Sequence, residues 1–168
     1  TKAREYFEKA VKMGQPNAHN NLGNIYLNGN GVPKDYLRAK ELFKVSSKLG
    51  NARGSYLLAN LYFKGYEGIP QNYLKALKYY EKSANEKFGP AVFILGDFYY
   101  YGFGVDKNYK KAKEYYELAA QYRNSKANLQ LGILYYYGKG FDKDYEKARE
   151  YFVKSAKEND INAFYYLA

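Results

Sequence analysis

Ala91 to Ala120 reads Ala-Val-Phe-Ile-Leu-Gly-Asp-Phe-Tyr-Tyr-Tyr-Gly-Phe-Gly-Val-Asp-Lys-Asn-Tyr-Lys-Lys-Ala-Lys-Glu-Tyr-Tyr-Glu-Leu-Ala-Ala. Its first third places Ala91, Leu95, Phe98 and Tyr99 on one helical face, at the spacing of a buried stripe. Gly102 and Gly104 interrupt that pattern. Asn108 then opens a second one, with Tyr109, Ala112, Tyr115, Tyr116 and Ala119 on a common face. The stretch is expected to fold as a helix, a glycine turn and a helix.

The same unit recurs along the chain. Its first alanine falls at Ala18, Ala91, Ala127 and Ala163, with Gly54 in the remaining unit, in steps of 36, 37, 36 and 36 residues. A leucine follows four places on (Leu22, Leu58, Leu95, Leu131, Leu167), then a tiny residue (Gly23, Ala59, Gly96, Gly132, Ala168). Next come Tyr26, Tyr62, Tyr99 and Tyr135, and after them the turn glycines. The second-helix alanine is Ala3, Ala39, Ala76, Ala112 and Ala148. The one extra residue lies at Tyr66-Glu67, inside a turn, where an insertion disturbs no helix. A fixed period of this length marks a repeat architecture in which each unit buries its apolar face against its neighbours.

The combination Ala-x3-Leu-Gly-x2-Tyr-x2-Gly-x-Gly-Val-x3-Tyr-x2-Ala-x2-(aromatic)2-x2-Ala resembles the Sel-one-like repeat, a relative of the tetratricopeptide repeat. The likeness extends over essentially the whole chain. It implies an all-α fold, an α-solenoid wound as a right-handed superhelix of antiparallel helix-turn-helix repeats. It also implies the usual role of that family, a scaffold that binds other proteins. Residues 18–53, 54–90, 91–126 and 127–162 are expected as complete repeats in a single solenoid spanning 1–168. Residues 1–17 would then be the second helix of a truncated repeat and 163–168 the start of another. Neither end reads as a polar cap, so the chain is expected to be a segment of a longer protein.

The 168 residues contain no Cys, which excludes disulfides and thiolate metal sites. Cysteine-rich bacterial relatives bridge their helix pairs, and this chain has no means to do so. No Asn-x-Ser/Thr acceptor occurs either, which fits a bacterial or cytoplasmic setting without excluding the ER lumen. No apolar run approaches the ~20 residues of a membrane helix. The net charge of +10 attracts acidic partners and nucleic acid in principle. However, the basic residues alternate with Glu at helical spacing, as in Glu146-Lys147-Ala-Arg149-Glu150, which reads as solvated outer faces.

Within each unit the first helix is expected to run about eleven residues, such as Ala18 to Asn28. Gly23, Gly96 and Gly132 are unfavourable in mid-helix, so a neighbouring helix is expected to press on the bare backbone there. Asp35, Asn72, Asn108 and Asp144 stand where an N-cap belongs. The recurring second-helix pairs, such as Tyr79-Tyr80 and Tyr115-Tyr116, read as core and outer surface.

The catalytic inventory is thin. His19 is the lone imidazole and reads as a surface residue beside Asn20-Asn21. None of the six serines begins a Ser-x-x-Lys, and no Gly-x-Ser-x-Gly elbow occurs. The paired glycines follow helices and lack the third Gly of a dinucleotide fingerprint. No cofactor or metal is expected. Two alternatives remain to the scaffold reading. One is a cell-wall or β-lactam-related hydrolase, suggested by cysteine-rich relatives. The other is nucleic-acid binding by the basic convex face, which salt dependence would expose.

What is left is a surface. In tetratricopeptide-like solenoids the first helices line the concave face. The inward positions there, two before and two after the leucine and the pair after the tyrosine, nominate Asn20, Asn24, Tyr56, Asn60, Phe63, Phe93, Asp97, Tyr100 and Tyr136 as contacts to a peptide or partner protein. Tyr101 and Tyr137 occupy the same class of position. Asn24, Asn60 and Asp97 form a polar row suited to a partner's backbone, and the aromatics have the profile of binding hot spots. Asp97, an acceptor only, would favour a Lys, Arg or free N–H on the partner.

Overall fold

The computed structural model describes residues 2–168. Ten helices follow in order: α1 (Lys2–Lys12), α2 (Pro16–Asn28), α3 (Tyr36–Lys48), α4 (Ala52–Lys64), α5 (Tyr73–Asn85), α6 (Gly89–Tyr101), α7 (Tyr109–Gln121), α8 (Ser125–Tyr137), α9 (Tyr145–Lys157) and α10 (Ile161–Leu167). The described residues form an all-helical solenoid of helix hairpins and contain no strand; one isolated bridge joins Tyr66 and Ile69. Two compact bodies divide at Phe88 and Gly89, the first holding α1–α5 and the second α6–α10. In each body every helix packs on its neighbours in sequence.

The first helices α2, α4, α6 and α8 each run thirteen residues, two more than the alanine anchors suggest. The reason is capping. Asn51 accepts the Gly54 N–H, and Asn124 accepts the Lys126 N–H. At α2, Pro16 occupies the first turn, where its missing N–H costs nothing.

One module repeats at every hairpin. Asp35, Asn72, Asn108 and Asp144 cap the second helices by accepting the N–H of Arg38, Lys75, Lys111 and Lys147. The backbone N–H of each cap donates to the carbonyl of Tyr26, Tyr62, Tyr99 or Tyr135, at 2.8–3.1 Å. The long cation three residues after the cap then lies over that tyrosine's ring, at 5.3, 5.4, 4.2 and 5.5 Å in chain order. In three hairpins a second ring stacks beside the tyrosine: Tyr79 on Tyr62, Tyr115 on Tyr99, Tyr151 on Tyr135. Many basic side chains that read as solvated charge are therefore ordered over aromatic faces. Removing one cap, as in Asn108→Ala, is expected to cost ~1 kcal/mol, visible as a lower urea midpoint. An unchanged midpoint would mean that the turn is held by the other contacts alone.

The turns need glycine at particular places. Gly102 ends α6 with φ +78, a conformation costly for other residues. Gly65 departs from its counterparts, with φ +72 and ψ 146, because the extra residue forms a small bridged loop in which Tyr66 and Ile69 exchange N–H···O bonds of 2.7 and 2.8 Å. Ile69, the hydrophobe after that turn, is buried.

In the first body the core gathers Ala39, Phe43, Leu58, Leu61 and Ile69; around Leu129 in the second it gathers Tyr135, Ala148, Phe152 and Ala163. Gly23, Gly96 and Gly132 are each pressed by the neighbouring helix as expected, through a ring of the second helix of their own hairpin. A Cβ on Gly23 would stand 2.5 Å from the Phe43 ring, on Gly96 2.4 Å from Tyr116, and on Gly132 2.4 Å from Phe152.

Candidate interaction face on the first helices

Each first helix has one side turned to its hairpin partner and one side open. The tiny residue seats the partner's ring, and the residue after it decides how that ring's far end is satisfied. After Ala59 comes Asn60, whose side-chain oxygen accepts the Tyr80 hydroxyl at 2.6 Å. After Gly96 comes Asp97, which accepts the Tyr116 hydroxyl at 2.7 Å. In the other two hairpins the ring is Phe43 or Phe152, which carries no hydroxyl, and the residue is Asn24 or Ile133. Asn60 and Asp97 thus anchor buried tyrosines first. They are half-buried, and a partner would meet only what the tyrosine leaves free.

Asp97 pays an electrostatic cost for this. Burial pushes its carboxyl up to about 6, against the Tyr116 hydrogen bond and Lys126, which both pull it down. Burial, followed by the Asp97 charge and hydrogen bond, drives the Tyr116 hydroxyl far above the ordinary phenol range.

Two expected contact residues are interior. Asn20 is 1% exposed; its amide donates to Asn51, the cap of the next repeat, at 2.9 Å. Asn51 in turn donates to Asn17 at 3.0 Å, so these amides tie consecutive repeats together. Phe93 is 8% exposed and packs on the Tyr116 ring. His19 also departs from expectation. It is 6% exposed, with Nδ1 2.8 Å from the Gln15 carbonyl, and it lines a cleft of the first body together with Val11, Leu42 and Val45.

The remaining nominated residues are partly open. Tyr56 packs edge-on to Phe88 and near Tyr80, and Phe63 lies against Tyr73. In the second body the tyrosines form one arrangement twice. Tyr100 packs edge-on to Tyr101 and Tyr109 at 4.8 and 5.3 Å. One repeat later Tyr136 packs on Tyr137 and Tyr145 at 5.0 and 5.5 Å. Tyr136 also meets Tyr166 of α10. Tyr101, Tyr136 and Tyr137 expose 49%, 38% and 49% of their surface, the first and last more than any residue nominated above. The tyrosine pair at the end of α6 and of α8 was the signal for them. Burial raises the Tyr100 and Tyr101 hydroxyls above their usual range, helped by neighbouring phenols in one case and by Asp97 in the other.

The open side of these first helices is thus a surface of packed aromatic side chains on a helical-repeat solenoid. A family model described as Sel1 repeat matches residues 1–15, 16–51, 52–88, 89–121 and 125–160. The chain belongs to the Sel1 repeat family. Repeats of this kind generally form non-catalytic scaffolds that mediate protein–protein interaction. A solved Sel1 repeat protein from Oxalobacter formigenes is 29% identical with a TM-score of 0.87, over 95% of this chain and 65% of that one. The protective antigen c5321 of uropathogenic Escherichia coli strains, which displays the same fold, is 34% identical with a TM-score of 0.85, over 95% of this chain and 34% of its own. HRD3B of Arabidopsis thaliana, an ERAD-associated E3 ubiquitin-protein ligase component, is 56% identical over 39 residues, 23% of this chain and 6% of the plant protein. The chain therefore spans less than two thirds of the length of each of these proteins. Among the described residues no helix is long and apolar enough to cross a membrane.

Proposed function

We propose that this chain is a non-enzymatic adaptor that takes a peptide or partner protein on the face of its first helices. The observation that carries this reading is the repeated tyrosine cluster at the ends of α6 and α8. Tyr101, Tyr136 and Tyr137 present large ring area with few rotamers to freeze, and hydroxyls that can meet a partner's backbone. Their backing rings hold them in place, so little order has to be created on binding.

The hydrolase alternative would have to recruit His19 as its base. That ring is buried and hydrogen-bonded to its own helix, which favours the scaffold. Nucleic-acid binding would draw on the lysines of the second helices, several of which lie over tyrosine rings instead.

A photo-crosslinking phenylalanine derivative placed at Tyr101 or Tyr137 tests the assignment. Illuminated in a lysate of the source cell, both variants are expected to capture the same protein, and the same probe at exposed Lys110 or Lys143 is not. Capture of that protein mainly from Lys110 and Lys143 would move the working face to the second helices and the turns that precede them. Adducts that vanish steeply with added salt and contain nucleic acid would favour the nucleic-acid reading.

A further inference from the structure

Helices α6, α8 and α10 carry only two charged side chains between them, Asp97 and Lys126. The surrounding surface is apolar, aromatic or neutral polar. The +10 charge of the whole chain does not dominate this body. From Gly89 onward 12 Lys and Arg residues face 10 Asp and Glu, whereas the residues before it hold 15 and 7. A single carboxylate thus gives the first-helix face of the second body its one negative charge.

The carboxylate is poorly compensated. An ionised carboxylate has about four acceptor positions, and the Tyr116 hydroxyl, its one hydrogen-bond partner among the described residues, fills one. No Lys or Arg among the described residues lies within ion-pair distance of it, although Lys126 exerts a longer-range attraction. One turn on, half-exposed Tyr101 lies close enough to feel the Asp97 charge. Tyr100 braces Tyr101 edge-on and is within electrostatic reach of Tyr137 and Tyr166.

A partly buried carboxylate beside a half-exposed phenol ring is complementary to a cation. The carboxylate accepts charge-assisted hydrogen bonds, and the ring faces attract positive charge. The geometry points to an Arg or Lys side chain of a bound peptide as the occupant of the Asp97–Tyr101 site. This rests on the first-helix face being the surface that takes the partner, and adds the chemistry that the partner brings there.

The titratable and charged groups that interact with Asp97 are Tyr116 from α7, Lys126 from α8 and Tyr101 on its own helix. With the carboxyl near 6, an arriving cation favours its ionised form. At pH 5 only about one carboxyl in ten is ionised, so affinity should be about tenfold lower there than at pH 7.5.

Titration of isotope-labelled chain with blocked Gly-Arg-Gly, Gly-Gln-Gly and Gly-Glu-Gly peptides, followed by NMR, tests this. The Arg peptide is expected to move the resonances of Asp97 and Tyr101 at pH 7.5, to bind about tenfold more weakly at pH 5, and to lose its preference in Asp97→Asn. That variant keeps an acceptor for Tyr116, as Asn60 does for Tyr80, so it should stay folded. Equal response to the Gln or Glu peptide, or unchanged Arg binding by Asp97→Asn, overturns the cation site while leaving the face as a peptide surface. If none of the peptides moves any resonance of α6 or α8, both the site and the first-helix reading fall.

Discussion

Gly96→Leu is expected to lower the stability of the chain by about 2–3 kcal/mol, read as a reduced urea midpoint. A β-carbon at Gly96 would stand 2.4 Å from Cε1 and 2.5 Å from Cδ1 of Tyr116. Tyr116 has no room to swing away. Its ring is fully buried and its hydroxyl is tied to Asp97. Overpacking of this kind costs ~1–3 kcal/mol or more, and leucine adds three further carbons beyond the clash. The better helix propensity of leucine returns somewhat under 1 kcal/mol, too little to offset it. Gly96→Ala should cost less than Gly96→Leu, because it adds the clashing β-carbon without the three carbons beyond it, and Ala59 occupies the same place in the second repeat. Lys110→Leu, on the exposed side of α7, should stay within about ±0.5 kcal/mol. If Gly96→Leu and Lys110→Leu unfold at the same urea concentration, the Tyr116 ring does not press on the α6 backbone.

The hairpins were legible because their periodicity is redundant: leucine, tiny residue, tyrosine, glycine and cap recur together, so a substitution such as Gly54 for the first alanine does not break the pattern. The caps were legible for a local reason, since Asp or Asn before an apolar face has few other uses. The early starts of α4 and α8 were also written, in Asn51 and Asn124, but the alanine anchors drew the boundary two residues late. Other features leave no mark in the chain. Lys87, Arg123 and Asn159 adopt left-handed backbone at φ 58, 58 and 63 where the first two second helices end in Gly14 and Gly50. The strain is about 1–2 kcal/mol for such residues, and their N–H groups close the helix ends by donating to the carbonyls of Ala84, Ala120 and Ala156. Lys75, Lys111 and Lys147 read as solvent-facing because a cation three residues after a cap lies on an exposed helix turn. Only the fold brings the tyrosine of the preceding helix beneath it.

The polar row shows why site residues are harder to read than folds. A polar residue recurring on a first helix can serve a partner or serve the hairpin, and periodicity alone is the same in both cases. The discriminating signal lay in the pairing. Asn60 and Asp97 occur with Tyr80 and Tyr116, and Ile133 with Phe152, so the acceptor tracks the hydroxyl. Asn24 breaks the rule, since it stands opposite Phe43.

Asp97→Asn is therefore expected to raise stability by up to about 3 kcal/mol at pH 7.5 and to change it little at pH 4. The folded carboxyl sits near 6 against an ordinary 3.8. At about 1.4 kcal/mol per unit, that difference corresponds to ~3 kcal/mol. The direction follows from proton uptake. Between these values the native chain holds more protons at Asp97 than the unfolded chain does, so wild-type stability should fall as pH rises from about 4 to about 6 and change little above that from this group. Asparagine does not titrate, and it can accept the Tyr116 hydroxyl as Asn60 accepts Tyr80 at 2.6 Å. Urea midpoints of both proteins across pH 4–8 would show the two curves meeting at the acid end and separating toward neutrality. Parallel curves would mean that Asp97 is well solvated in the folded chain. Separating curves would mean that the charge weakens the fold at neutral pH, where the neighbouring repeat uses a neutral amide for the same hydrogen bond, and packing alone would not explain that. Local departures from an otherwise consistent pattern concentrate at functional sites. Curves that separate in this way would support, independently of the exposed tyrosines, the proposal that this carboxylate meets a partner.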